Sequence, residues 1–190
     1  MAAIEKGDIE IIQLLLSIPD IDLKHIIKSG YHTDNYTNSQ REWQEKSELY
    51  IVVEKGDVQV IRLLLNHPNI DPNYKYRYEY FQDEFRREDQ IQRMPLKFRG
   101  FENYIFSTVL TIAIEKNLPQ VVKALVESPK VDVNVTKTES RHSFSSGESS
   151  HYEKSPLWLA VSEENTEIVK ICYKDQKLTE ILFLRRMEKN

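Results

Sequence analysis

VVEKGDVQVIRLLL, residues 52–65, decides the reading of this chain, because close copies stand at three other places. They are AIEKGDIEIIQLLL from Ala3, AIEKNLPQVVKALV from Ala113 and AVSEENTEIVKICY from Ala160. Each copy divides into two short apolar-faced segments about a turn, the pattern of a helix, a turn and a second helix. Gly7 and Gly56 close the first segment where a left-handed residue is wanted, and Asn117 takes that place in the third copy. Asp8 and Asp57 can then cap the second helix, while Pro119 stands near the corresponding start. Upstream, Ser47, Thr108 and Ser155 can cap the first helix, and Pro156 occupies a first helical position where its missing N–H costs nothing. The second helix carries Ile11, Ile12, Leu14, Leu15 and Leu16, matched by Val60, Ile61, Leu63, Leu64 and Leu65. A helix apolar around so much of its circumference needs cover on two sides, which neighbouring copies supply. Each buried Leu or Ile contributes roughly 1.5–3 kcal/mol.

A second phrase comes after three of the copies: Pro19-Asp-Ile21-Asp22, Pro68-Asn-Ile70-Asp71-Pro-Asn73 and Pro129-Lys-Val131-Asp132-Val-Asn134. Proline stops the helix, and Asp and Asn favour a turn. With Ser155-Pro156-Leu157-Trp158-Leu159-Ala160 as a helix start, these features together resemble the ankyrin-repeat family over a little more than half the chain. The resemblance implies an all-α helical solenoid; the spacing adds elongated finger loops, in one of which residue alternation allows a β-hairpin. Its four units span residues 1–46, 47–107, 108–154 and 155–190. The first unit lacks most of its first helix, which fits either a degenerate cap or one piece of a longer array. Residues 178–189 read as a closing helix, with Arg185, Arg186 and Lys189 suited to the C-terminal end of the helix dipole.

The departures from the family lie in the spacing. Anchors 49, 61 and 47 residues apart exceed the family period of about 33, and each excess falls after the Asp-x-Asn phrase. In the longest insertion Tyr74, Tyr76, Tyr78 and Tyr80 alternate with Lys75, Arg77 and Glu79, which sets the tyrosines on one face of a strand. The stretch from Phe98 to Phe106 can return as its hairpin partner, with a helical turn in the charged stretch 83–93. Two readings of the tyrosine face stand: docking of a partner, and packing over the side of the helices. The Ser-rich stretch 136–154 is expected to stay mobile, with a modification site conceivable at Ser143, Ser145 or Ser146 after Arg141. Residues 23–30 read as a short helix ended by Gly30, and Trp43 as a packing residue.

Composition narrows the function. A net charge of -4 over 190 residues recruits neither nucleic acid nor anionic membrane, and the long insertion sets seven basic residues against six acidic ones. No apolar run approaches the roughly 18–20 residues of a membrane span, and the N-terminus lacks a signal-peptide layout. With the lone Cys172, a soluble, cytoplasmic protein is expected. The histidines, at 25, 32, 67, 142 and 151, lack the spacing of a metal site, and Cys172 falls at a core position of the repeat. No enzyme, metal, cofactor or small-molecule substrate is therefore expected.

By resemblance, the chain is expected to bind an unidentified protein partner through finger loops and concave face. Contact residues would be Tyr76, Tyr78, Tyr80 and Phe101, with Tyr50, Thr111 and Trp158 on the first helices. The alternative is a structural spacer or regulatory segment, of a longer array or of a larger enzyme.

Overall fold

The computed structural model describes residues 2–18, 21–23, 25–35, 38–85 and 98–175. Helix pairs and β-hairpins alternate along the chain. The first pair, α1 (Ala2–Lys6) and α2 (Ile9–Leu16), precedes the hairpin β1 (Ile27–Asn35) and β2 (Asn38–Lys46). Then come α3 (Glu48–Lys55) and α4 (Val58–Asn66), β3 (Tyr76–Phe85) and β4 (Phe98–Ser107), and α5 (Val109–Glu115) and α6 (Pro119–Val126). The hairpin β5 (Lys137–Ser143) and β6 (Ser149–Lys154) is next, and α7 (Pro156–Ser162) and α8 (Thr166–Asp175) complete the order.

Local sequence chemistry accounts for the helix boundaries. Ser47, Thr108 and Ser155 are N-caps whose side chains accept from Tyr50 N, Thr111 N and Trp158 N. Thr108 and Thr111 form a reciprocal capping box, each hydroxyl accepting from the other's backbone N–H. Asp8 and Asp57 cap α2 and α4 in the same manner. Gly7 and Gly56 turn the chain with φ of 69° and 77°, and Asn117 and Glu164 do so at 56°. The helices then pack in two rows, α3 against α5 against α7, and α2 against α4 against α6 against α8. Val53, Ile61, Ala113, Ile114, Val122, Leu125, Ala160 and Ile168 are fully buried between them. Hydrogen bonds join successive turns behind the second row: Asn73 Nδ2 donates to Lys130 O at 2.8 Å and Asp132 N donates to Asn73 Oδ1 at 2.7 Å.

The long insertions overturn the all-α solenoid. All three are hairpins, and they are zipped together into one six-stranded antiparallel sheet in the order β1-β2-β3-β4-β5-β6. Pairing between hairpins, Trp43 opposite Glu79 and Tyr104 opposite Ser140 among others, is as regular as pairing within them. The fold is therefore mixed α/β, with a sheet where finger loops were expected. Separate hairpins would each leave two strand edges unpaired, and joining them satisfies those backbone groups.

Two further expectations fall with it. The stretch 136–154, expected to be mobile, forms β5 and β6, and Gly147 at φ 70° serves the turn between them. The short helix expected over residues 23–30 gives way to β1. A Cβ at Gly30 would meet the Trp43 ring at 2.8 Å and collide with the Glu42 carbonyl oxygen. Glycine is thus required there by the ring lying across the strand, not by a helix end. The tyrosine hairpin forms as expected, with Tyr76 opposite Ser107 and Tyr78 opposite Ile105. The expected closing helix at 178–189 lies outside the described residues; of the stretch 83–93, expected to hold a helical turn, residues 83–85 continue β3 instead and the rest lies outside them too.

Two substitutions probe these contacts. Asn73→Ala removes both bonds to the following turn and should lower stability by about 1–3 kcal/mol, read from the denaturant midpoint. Glu164 carries the left-handed penalty that glycine avoids, so Glu164→Gly should raise stability by about 0.5–1 kcal/mol.

Candidate functional site

Strand alternation sorts the sheet into two faces. Gln44, Tyr78 and Ile105 share a register position, as do Tyr31, Glu42, Tyr80, Asn103 and Arg141 two residues further along. Gln44, Tyr78 and Ile105 meet the helices in a cleft of about 290 Å³, whose opposite wall is Tyr50 and Glu54 of α3 with Ile112 and Glu115 of α5. The other face carries Arg41, Trp43, Phe81 and Tyr104 around a second hollow of about 190 Å³.

The floor of the cleft is a tyrosine cluster. The Tyr76 ring lies 5.0 Å from Tyr50 and 4.9 Å from Tyr74, both edge-on, and its hydroxyl is 2.5 Å from Ser47 Oγ. Gln44 Nε2 donates to the Tyr50 hydroxyl at 2.6 Å. Burial pushes the Tyr76 pKa up to about 12, with the Ser47 bond working against it. Burial also drives Tyr50 well above the ordinary tyrosine range, with Glu54 adding to the rise.

Ion pairs line the rim where sheet and helices meet. Glu54 receives Lys46 at 2.7 Å and Lys116 at 3.2 Å. Lys137 bridges Glu115 and Glu139, and Lys154 reaches Glu139 at 2.9 Å. Burial works to raise the carboxyl pKa of Glu54 and of Glu139, but the lysine hydrogen bonds outweigh it and both fall below the usual value. For Lys137 burial works downward, and its two glutamates outweigh that and raise it. These charges satisfy one another, so they fasten hairpins to helices.

Above the rim the face is aromatic and half-open. Tyr80 lies 5.6 Å from Phe101, and the Arg141 guanidinium sits 4.4 Å over the Phe101 ring. Tyr78 and Tyr31 both hydrogen-bond Glu42. Burial leads the rise in the Tyr78 pKa, and the Glu42 bond leads that of Tyr31. Tyr31 and Tyr152 are exposed at the two flanks.

Of the residues expected to contact a partner, Tyr50, Tyr76 and Thr111 are buried and belong to the packing. Tyr78, Tyr80 and Phe101 are half-buried on the cleft face, and Trp158 is exposed on α7 with the Lys154 ammonium 5.5 Å above its ring. Sequence reasoning missed Tyr31, Glu42, Arg141 and Tyr152, because these come together only once three hairpins share one sheet.

Cys172 and two of the histidines are taken up structurally. Cys172 is buried in α8. His142 Nδ1 lies 2.8 Å from Ser149 Oγ, and His151 Nδ1 lies 2.8 Å from Ser140 Oγ, so both sit on paired strands, not in a mobile loop. Among the described residues no group of three His, Cys, Asp or Glu could hold a metal ion. Nor is any helix among them long and apolar enough to cross a membrane.

Comparison with known proteins finds no matching family model, and no curated protein matches the chain. With a six-stranded sheet in place of finger loops, the ankyrin resemblance is set aside.

The tyrosine floor makes stability fall at alkaline pH. Both folded pKa values stand above the unfolded tyrosine value of about 10, so the contribution is complete below that pH and is lost as pH rises through the folded values. Urea midpoints should fall between about pH 10 and pH 12, and Tyr76→Phe should make that fall shallower.

Proposed function

We propose that this chain is a non-catalytic recognition module that holds a protein partner against the cleft face of the sheet. The observation that carries the reading is the row Tyr78, Tyr80 and Phe101, half-open on a rigid sheet and flanked by exposed Tyr31, Tyr152 and Trp158. Aromatic side chains bring large contact area and lose few rotamers on binding, and they dominate the energetics of most protein interfaces. The sheet holds them in register before any partner arrives, which lowers the ordering cost of association. The ion pairs beneath them are already satisfied, so binding need not strip a lone charge of water.

A purely structural role is favoured at Tyr50, Tyr76 and Thr111, all buried, and most clearly at Tyr76, whose ring and hydroxyl are both taken up by the joint between sheet and helices.

A photo-crosslinking residue placed at Tyr31 or Tyr152 should join a partner in cell extract, and one placed at Trp43 on the opposite face should not. The triple variant Tyr78→Ala, Tyr80→Ala, Phe101→Ala should lose at least tenfold in affinity for that partner while keeping its circular dichroism. Equal crosslinking from both faces, or undiminished affinity in the triple variant, would end the proposal.

A further inference from the structure

Charge is neutralised unevenly over the cleft face of the sheet. Lys46, Lys137, Glu139 and Lys154, close to the helices, are all held in ion pairs. Glu42 and Arg141, further up the strands, touch no opposite charge among the described residues. Glu42 is half-buried and accepts from the hydroxyls of Tyr31 and Tyr78. Arg141 is exposed, and its guanidinium rests 4.4 Å over the Phe101 ring. Neither contact cancels a charge.

Strand register fixes how far apart the two stand. Glu42 lies opposite Tyr80, Tyr80 opposite Asn103, and Asn103 opposite Arg141. Three strand spacings therefore set the acid about 14 Å from the cation. Tyr80 and Asn103, both half-buried, fill the interval. The Asn103 carboxamide hydrogen-bonds none of the described residues, and it offers both donors and an acceptor. A helix satisfies its own backbone groups, whereas an extended segment presents them to such an amide.

We propose that the cleft face takes an extended peptide segment of the partner, laid across the strands, with a Lys or Arg against Glu42 and an Asp or Glu against Arg141. At about 3.3 Å per residue, those two side chains stand about four residues apart in the segment. Between them an apolar side chain meets the Tyr80 ring, and Asn103 bonds the backbone. Both charges stay partly hydrated, so their pairing sets register and partner choice more than affinity. The proposal rests on partner binding at this face and adds which sequence the face selects.

Fluorescence anisotropy of labelled synthetic peptides with the full chain tests it. The peptides alternate Leu and Ser and carry one Lys and one Asp, in either order and at increasing separation. Affinity should peak at a separation of about four residues, and fall about three- to fivefold when either charge is replaced by Gln. Glu42→Lys should exchange the preference, losing the Lys–Asp peptide and gaining an Asp–Asp peptide of the same spacing. Arg141→Glu should gain the Lys–Lys peptide in the same way. Glu42→Gln still accepts from both tyrosines, and it replaces Glu42→Lys if circular dichroism shows that variant to be misfolded. It should lose about three- to fivefold for the Lys–Asp peptide. Affinity that ignores spacing would overturn the proposal, as would a folded Glu42→Lys variant that still prefers the Lys–Asp peptide. Absence of binding at every spacing would overturn it too. If crosslinking from Tyr31 persists in that case, partner binding at the face stands and only the charge pairing falls.

Discussion

Two spacings agree in this molecule, and the architecture depends on that agreement. Packed helices lie about 8–10 Å apart, and neighbouring strands about 4.7–4.9 Å apart. One hairpin is two strands wide, so each step along the helix rows advances the sheet by close to one hairpin. The three hairpins between four helix pairs therefore meet edge to edge without strain, and the hydrogen bonds of β2 to β3 and β4 to β5 result. A hairpin alone in water is marginal, but six strands anchored at one end are not.

Anchoring falls to a small set of side chains. Ser47 caps α3 and also meets the Tyr76 hydroxyl, so one residue ends a strand connection, starts a helix and holds the sheet to it. Lys46, Lys137 and Lys154 stand at the last or first positions of their strands and reach glutamates on the helices or on the neighbouring strand. The aromatic face above this joint is anchored by it at one end, and strand pairing keeps it in register. A surface built this way is set by backbone pairing and not by mobile loops.

Much of the helical half was legible in the sequence, because capping and helix termination act over three or four residues. Ser47, Asp57, Gly56, Asn117 and Pro156 each announce their role through local chemistry that no distant contact alters. The tyrosine strand was legible for a similar reason, since strict alternation from Tyr74 to Tyr80 has one simple reading. By contrast β5 and β6 carry polar residues on both faces, so no apolar period marks them, and their pairing to β4 was invisible. Leu23, Ile26 and Ile27 happen to suit a helical face, and Gly30 suits a helix end. Only the Trp43 ring, brought from another strand, explains that glycine. The cleft face was legible in part: Tyr78, Tyr80 and Phe101 came from one hairpin, whereas Tyr31, Glu42, Arg141 and Tyr152 came from the other two.

Strand order in the sheet matches chain order without a crossover. Each new hairpin thus finds a finished edge waiting beside it, and each new helix pair finds the flank of the one just made. Contacts form mainly between neighbouring segments of the series, so each addition closes against structure already made. During synthesis the chain can settle from its first pair onward as it leaves the ribosome, with the growing edge acting as a template for each strand added to it.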